Sequence, residues 1–126
     1  MNRNSIKVAL VVEDDFASRQ YLIFMLKRLN IEILETETGE EALVLMKENN
    51  VGIMLLDIAL GPGISGIQLC ERLKQDRRFS STPAVAVTAF AKDNLEEFDQ
   101  VGFAGYLSKL YTFDQLKDVL NKYLDS

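Results

Sequence analysis

The chain of 126 residues contains no histidine. That absence removes the Ser-His and Cys-His pairs that activate a nucleophile. With a single cysteine, Cys70, it also leaves no zinc site and no internal disulfide. Cys70 falls in a helix-period segment, where a small buried thiol is the ordinary reading. Any histidine chemistry must come from another molecule. No apolar run is long enough to span a bilayer and no basic, apolar leader is present, so a soluble, cytosolic setting is expected. The 14 basic and 19 acidic residues give a net charge of −5 with no basic cluster, which argues against direct nucleic-acid binding. Linkers, repeats and low-complexity stretches are also missing. What remains, 48% of it hydrophobic, fits one globular domain over residues 1–126 with a real core and no room for a second.

Apolar, strand-like runs alternate with helix-period segments five times. Residues 6–12 ("IKVALVV") read as the first strand and 16–29 as the first helix, with Leu22, Met25, Leu26 and Leu29 on one face. Residues 31–36 ("IEILET") alternate as an edge strand does. Thr38 and Glu41 form a capping box for a helix running through Met46. The continuous apolar run 51–57 ("VGIMLLD") predicts a central strand covered on both faces. Ser65 and Gln68 cap the next helix, which turns Ile67, Cys70 and Leu73 inward. Residues 84–88 ("AVAVT") are the fourth strand, and Asp93 with Glu96 opens a helix carrying Leu95, Phe98 and Val101. A short fifth strand at 104–107 precedes a helix capped by Thr112 and Gln115, with Leu116, Val119, Leu120 and Tyr123 inward. Five such units with short links predict a parallel α/β sheet with right-handed crossovers and helices on both faces.

Ligands of such sheets bind beyond the carboxyl ends of the strands. There the first strand ends on Glu13, Asp14 and Asp15, the third on Asp57, and the fourth on Thr88 followed by Ala89. Ser108 and Lys109 follow the fifth. Carboxylates gathered this closely either retain a proton or hold a cation between them. Hard oxygen donors without His or Cys suit Mg²⁺, which makes one carboxylate a workable phosphoryl acceptor. A hydroxyl at Thr88 and an ammonium at Lys109 suit the remaining phosphoryl oxygens. Asp15 is better read as a helix N-cap and stays out of the site. Asp57 has the poorest structural excuse, since a carboxylate ending a buried apolar strand is costly unless used or paired.

These residues resemble the receiver domain of two-component response regulators, chemotaxis-regulator-like, from about Ile6 to Leu124. The resemblance rests on "VVEDD", "LLDIAL", "VTAF" and "GYLSK" at four successive strand ends. It implies a flavodoxin-like (βα)5 three-layer sandwich with strand order 2-1-3-4-5. It implies that Asp57 is phosphorylated from the phosphohistidine of a partner, either a sensor histidine kinase or a histidine phosphotransfer protein. By the same resemblance Asp14 binds Mg²⁺ directly, Glu13 assists through water, and the backbone carbonyl of Ala59 adds a ligand. Thr88 and Lys109 then contact the phosphoryl group, with Ala89 in the same binding set. Tyr106 is the switch aromatic, moving inward with Thr88, and the fourth helix, fifth strand and fifth helix form the output face toward a downstream target.

Three positions depart from the family pattern. Leu110 follows Lys109 where the family usually has proline, often through a cis bond that costs a non-proline residue roughly 2.5–4 kcal/mol. The loop after Asp57 is one residue longer, with Gly61, Pro62 and Gly63 in it. Ala59 and Phe90 stand where polar groups often steer water to the aspartyl phosphate, so slow self-dephosphorylation is expected.

Two rivals stay open on the residues. One is a degenerate receiver that binds its partner without phosphorylation, against which the intact Asp14, Asp57, Thr88 and Lys109 argue. The other is a small flavodoxin-like enzyme or nucleotide binder using Gly61, Gly63 and Gly66, which spell G-x-G-x-x-G. That fingerprint fails on context: its first glycine comes four residues after Asp57, on the third strand, and the next strand ends without an acid. A haloacid-dehalogenase-type phosphatase would carry D-x-D after the first strand, which "EDD" does not supply.

Overall fold

The computed structural model describes residues 7–89 and 91–124; Ile6 and Phe90, both singled out above, lie outside them. Five strands, β1 (Val8–Val12), β2 (Glu32–Thr36), β3 (Ile53–Asp57), β4 (Ala84–Thr88) and β5 (Gly105–Ser108), form one parallel sheet in the order 2-1-3-4-5. The helices are α1 (Phe16–Arg28), α2 (Gly39–Glu48), α3 (Gly66–Gln75), α4 (Leu95–Val101) and α5 (Phe113–Leu124). This is the flavodoxin-like topology that the resemblance implied. None of the described helices is long and apolar enough to cross a membrane.

The two-residue period of the strands divides the core. Leu10, Met54, Leu56 and Ala86 face α2, α3 and α4, where they meet Ala42, Met46, Leu69, Cys70 and Phe98. Ala9, Val11, Leu55 and Val85 face α1 and α5, where they meet Leu22, Leu26, Leu116 and Leu120. All five residues of β3 and of β4 are buried, as an apolar run covered on both faces requires. β2 is an edge strand, and its exposed Glu32 and Glu35 keep that edge polar.

Side-chain caps start four of the helices. Asp15 accepts from the Ser18 amide at 2.8 Å, which fits its reading as an N-cap. Ser65 and Gln68 exchange both bonds of a capping box, and so do Thr112 and Gln115. Thr38 caps α2 through the Glu41 amide, but the Glu41 carboxylate turns away to the Thr36 hydroxyl, so that box is only half formed.

The start of α4 corrects the sequence reading. Ala91–Asp93 forms a 3₁₀ turn, and the α-helix begins at Leu95 with Asn94, not Asp93, at the N-cap. Of the apolar residues on this short helix Phe98 is buried, whereas Leu95 stays 41% exposed in the first turn and lines an open groove shared with Tyr106. Leu69, which the sequence reading passed over, is fully buried between Ile67 and Cys70 on the inner face of α3.

Candidate functional site

β1 lies between β2 and β3, so the strand order reverses beside its carboxyl end. A crevice outside the sheet is expected at that point. The Glu13 amide donates to the Thr36 carbonyl at 3.0 Å, which carries the chain straight past the end of β1. Asp57 ends β3 in the neighbouring position. The two adjacent strands therefore deliver Glu13, Asp14 and Asp57 to one place, with a carboxylate oxygen from each lying within 4.8 Å of the others.

The three carboxylates differ in burial. Glu13 and Asp57 are only 4% and 5% exposed, whereas Asp14 is open to solvent. Lys109, carried by the loop after β5, reaches across with Nζ 2.7 Å from Glu13 Oε1 and 3.6 Å from Asp57 Oδ2. Its own amide donates to the Thr88 carbonyl at 2.8 Å, which ties the ends of β4 and β5 together. The peptide bonds of the described residues are all trans, and the chain turns after Lys109 through a positive φ of 51° at the exposed Leu110. Lys109 thus reaches the carboxylates without the proline usual in the family.

Burial raises the pKa of Glu13, and its contact with Asp57 raises it further, against the opposing pull of Lys109. Burial alone would lower the Lys109 ammonium, but its bond to Glu13 and the charge of Asp57 outweigh that, and the net shift is upward. The site is therefore short of positive charge: one ammonium serves three carboxylates. Oxygen donors only, two of them buried, match a hard divalent cation, and the donor set fits Mg²⁺.

The other expected residues fall at the same rim. The Ala59 amide donates to Asp57 Oδ1 at 3.3 Å. Thr88 ends β4 and is buried, and the exposed Ala89 follows it. Tyr106 lies farther back in β5, on the groove between α4 and α5, and is 39% exposed. Beside Asp57 and Lys109 a cavity of about 410 Å³ opens between α1 and the loop after β5, lined by Tyr21, Leu22, Val87 and Tyr111.

The glycine loop is no phosphate cradle. A Cβ on Gly61 would sit 2.9 Å from Asp14 Oδ2, and one on Gly63 would sit 2.6 Å from the Glu40 carboxylate. Two of the three glycines thus abut negative charge, which repels a phosphate. Gly66 has a different task. A Cβ there would lie 2.1 Å from the Asp57 carbonyl oxygen, so only glycine lets α3 begin directly against the end of β3.

Arg19 was missed in the sequence. It is buried, donates to the Glu13 carbonyl at 2.8 Å and pairs with Glu35 at 3.2 Å, so it braces the turn that presents Glu13. A signal was present, since Arg19 stands three and seven residues before Leu22 and Leu26, on the apolar face of α1.

Comparison with known proteins agrees with this geometry. The model of the response regulator receiver domain family matches residues 9–121. The chain is 32% identical over 119 residues to the polar-differentiation response regulator DivK of Brucella ovis, covering 94% of this chain and 96% of that one. Among solved structures it resembles the response regulator TrrA of Thermotoga maritima, determined in complex with Mg²⁺ and BeF. That match has a TM-score of 0.85 and 29% identity, over 94% of this chain and all (100%) of the other. The receiver domain of Francisella response regulator 1452 matches with a TM-score of 0.84 and 26% identity, over 94% and 96% of the two chains. With a buried aspartate at the end of β3, two further acids at the end of β1 and a lysine after β5, the chain belongs to the response regulator receiver domain family.

Proposed function

We propose that this chain is a phospho-accepting switch in which Asp57 takes a phosphoryl group from a partner phosphohistidine. The observation that carries this reading is the environment of Asp57, a buried carboxylate at a strand end with Lys109 on one side and two acids on the other. An Asp57 oxygen attacks phosphorus, the P–N bond to the partner's imidazole breaks, and the ring nitrogen keeps the electron pair. The chain has no histidine, so that donor belongs to another molecule, which we read as a sensor kinase or a histidine phosphotransfer protein. The cavity beside Asp57 and Lys109 offers an imidazole a way in.

Asp14 and Asp57, the Ala59 carbonyl and Glu13 (the last through water) would hold Mg²⁺. Bound there, the ion offsets the repulsion between the carboxylate and the incoming group. Lys109 and the Thr88 hydroxyl take phosphoryl oxygens once transfer has occurred, with Ala89 beside them. Phosphorylation then favours a conformer in which Thr88 moves toward Asp57 and Tyr106 follows inward. The face formed by α4, β5 and α5, where Tyr106 now stands exposed, would carry that change to a downstream protein. The same reading places residues 1–126 in the cytoplasm as one receiver unit.

Labelling with acetyl phosphate, with and without Mg²⁺, tests it on wild type and Asp57→Asn. Labelling that needs both Mg²⁺ and Asp57 is the expected result. Equal labelling of the variant would move the acceptor elsewhere, and no labelling of wild type with Mg²⁺ would favour a degenerate receiver.

A further inference from the structure

The glycine loop after β3 is unused in the mechanism above, yet it touches one of the proposed ligands directly. Among the described residues nothing donates a hydrogen bond to the Asp14 carboxylate, which sits exposed at the mouth of the crevice. Its near neighbour is Gly61: a Cβ there would lie 2.9 Å from Asp14 Oδ2 and 4.0 Å from its Cγ. The bare backbone of Gly61 therefore stands against that oxygen and limits where the carboxylate can swing.

Gly61 is itself held in place. At the far end of the loop the Ile64 amide donates to Glu40 Oε2 at 3.0 Å. Gly63 has a φ of +100°, and a Cβ there would strike the Glu40 carboxylate at 2.6 Å. The Ile64 side chain is buried in the space left by Gly39, where a Cβ would sit 2.4 Å from Ile64 Cγ1. The start of α2 thus grips one end of the loop while the end of β3 fixes the other. Gly61 is suspended between these anchors, over Asp14.

We propose that Gly61 and Glu40 are positioning residues for Asp14: Gly61 backs the carboxylate that faces the metal, and Glu40 tethers the loop that carries Gly61. The role of Asp14 toward Mg²⁺ rests on the function proposed above; the placement of Asp14 by the loop does not. A side chain at position 61 is cheap for the fold, because it meets the free end of an exposed carboxylate rather than backbone. It is expensive for the ligand, because that end must move.

Gly61→Ala is therefore expected to weaken Mg²⁺ binding by roughly 10-fold or more, within the range for groups that orient metal ligands, and to leave the melting temperature unchanged. Glu40→Ala, which frees the loop, should weaken it less. In an Asp14→Ala background Gly61→Ala should add nothing. Calorimetric titration of the full chain with Mg²⁺ reads all of these. Equal Mg²⁺ affinity for wild type and Gly61→Ala would overturn the inference, as would an unchanged loss in the Asp14→Ala background. If wild type binds no Mg²⁺, the proposed function fails, and the ¹³Cγ resonance of Asp14 in metal-free protein then decides. A shift in Gly61→Ala upholds the placement by the loop, and an identical resonance refutes it.

Discussion

Ala59 lies two residues beyond Asp57 and presents only a methyl group at the rim, while its amide is turned to Asp57 Oδ1. A water attacking the phosphoryl group would find neither donor nor acceptor on that side chain. Slow loss of the phosphoryl group is the expected consequence. Ala59→Asn, which supplies an amide at that point, should speed hydrolysis by roughly 10-fold, the low end for a positioned polar group, as followed by loss of label after the donor is removed. A wild-type half-life of seconds would contradict this. Lys109 illustrates the same scale from the other side. Read in isolation it is a solvated surface lysine; here it lies 2.7 Å from Glu13 and 3.6 Å from Asp57 because the Thr88 carbonyl holds its backbone.

At the scale of the element, α3 must begin against the carbonyl of Asp57 itself, so its first turn has to be well defined. Gly66 permits the approach, and the Ser65–Gln68 box fixes the start. Ser65→Ala removes the bond to the Gln68 amide and should cost about 1 kcal/mol of stability, measured by denaturant unfolding. Because Asp57 is anchored in β3 rather than in α3, phosphoryl labelling should survive the change. α4 is the contrasting case. It has seven residues, only Phe98 is buried, and its first turn holds two glutamates. A short helix with one buried anchor has little packing to hold it and belongs to the least stable part of the fold.

For the whole molecule, the sheet separates two apolar layers, and Cys70 sits fully buried in the layer under α2, α3 and α4. Burial pushes its thiol up to about 11 from an ordinary 9.0. A folded-state pKa above the unfolded one means that this contribution to stability is complete below the unfolded value and is lost as pH rises through the folded one. Between pH 9.0 and about 11 the unfolded chain ionises while the native thiol does not, which erodes stability by up to about 1.4 kcal/mol per pH unit. Cys70→Ala should flatten that alkaline limb in denaturant titrations. Burial raises Tyr111 as well, but its loss begins only above the ordinary tyrosine range. Thiol-reactive dyes should label Cys70 slowly in the native state and fast after unfolding.

The sequence by itself determined the element order, the burial of β3, and the gathering of Glu13, Asp14, Asp57, Thr88 and Lys109 at one rim. These follow from period and position, because a two-residue or 3.6-residue repeat is local and a parallel sheet sends every strand end the same way. The start of α4 escaped it: a capping pattern at Asp93 and Glu96 is satisfied on paper, but the chain makes a 3₁₀ turn first. Arg19 under Glu13, Glu41 bonded to Thr36 rather than to its own helix start, and Gly61 against Asp14 were decided only by tertiary structure. The first two span only six and five residues and the third joins distant loops, but in each case which oxygen is met depends on how a helix or loop packs against the end of a strand. The residues that carry chemistry sit where the backbone puts them; the residues that aim them are chosen by packing.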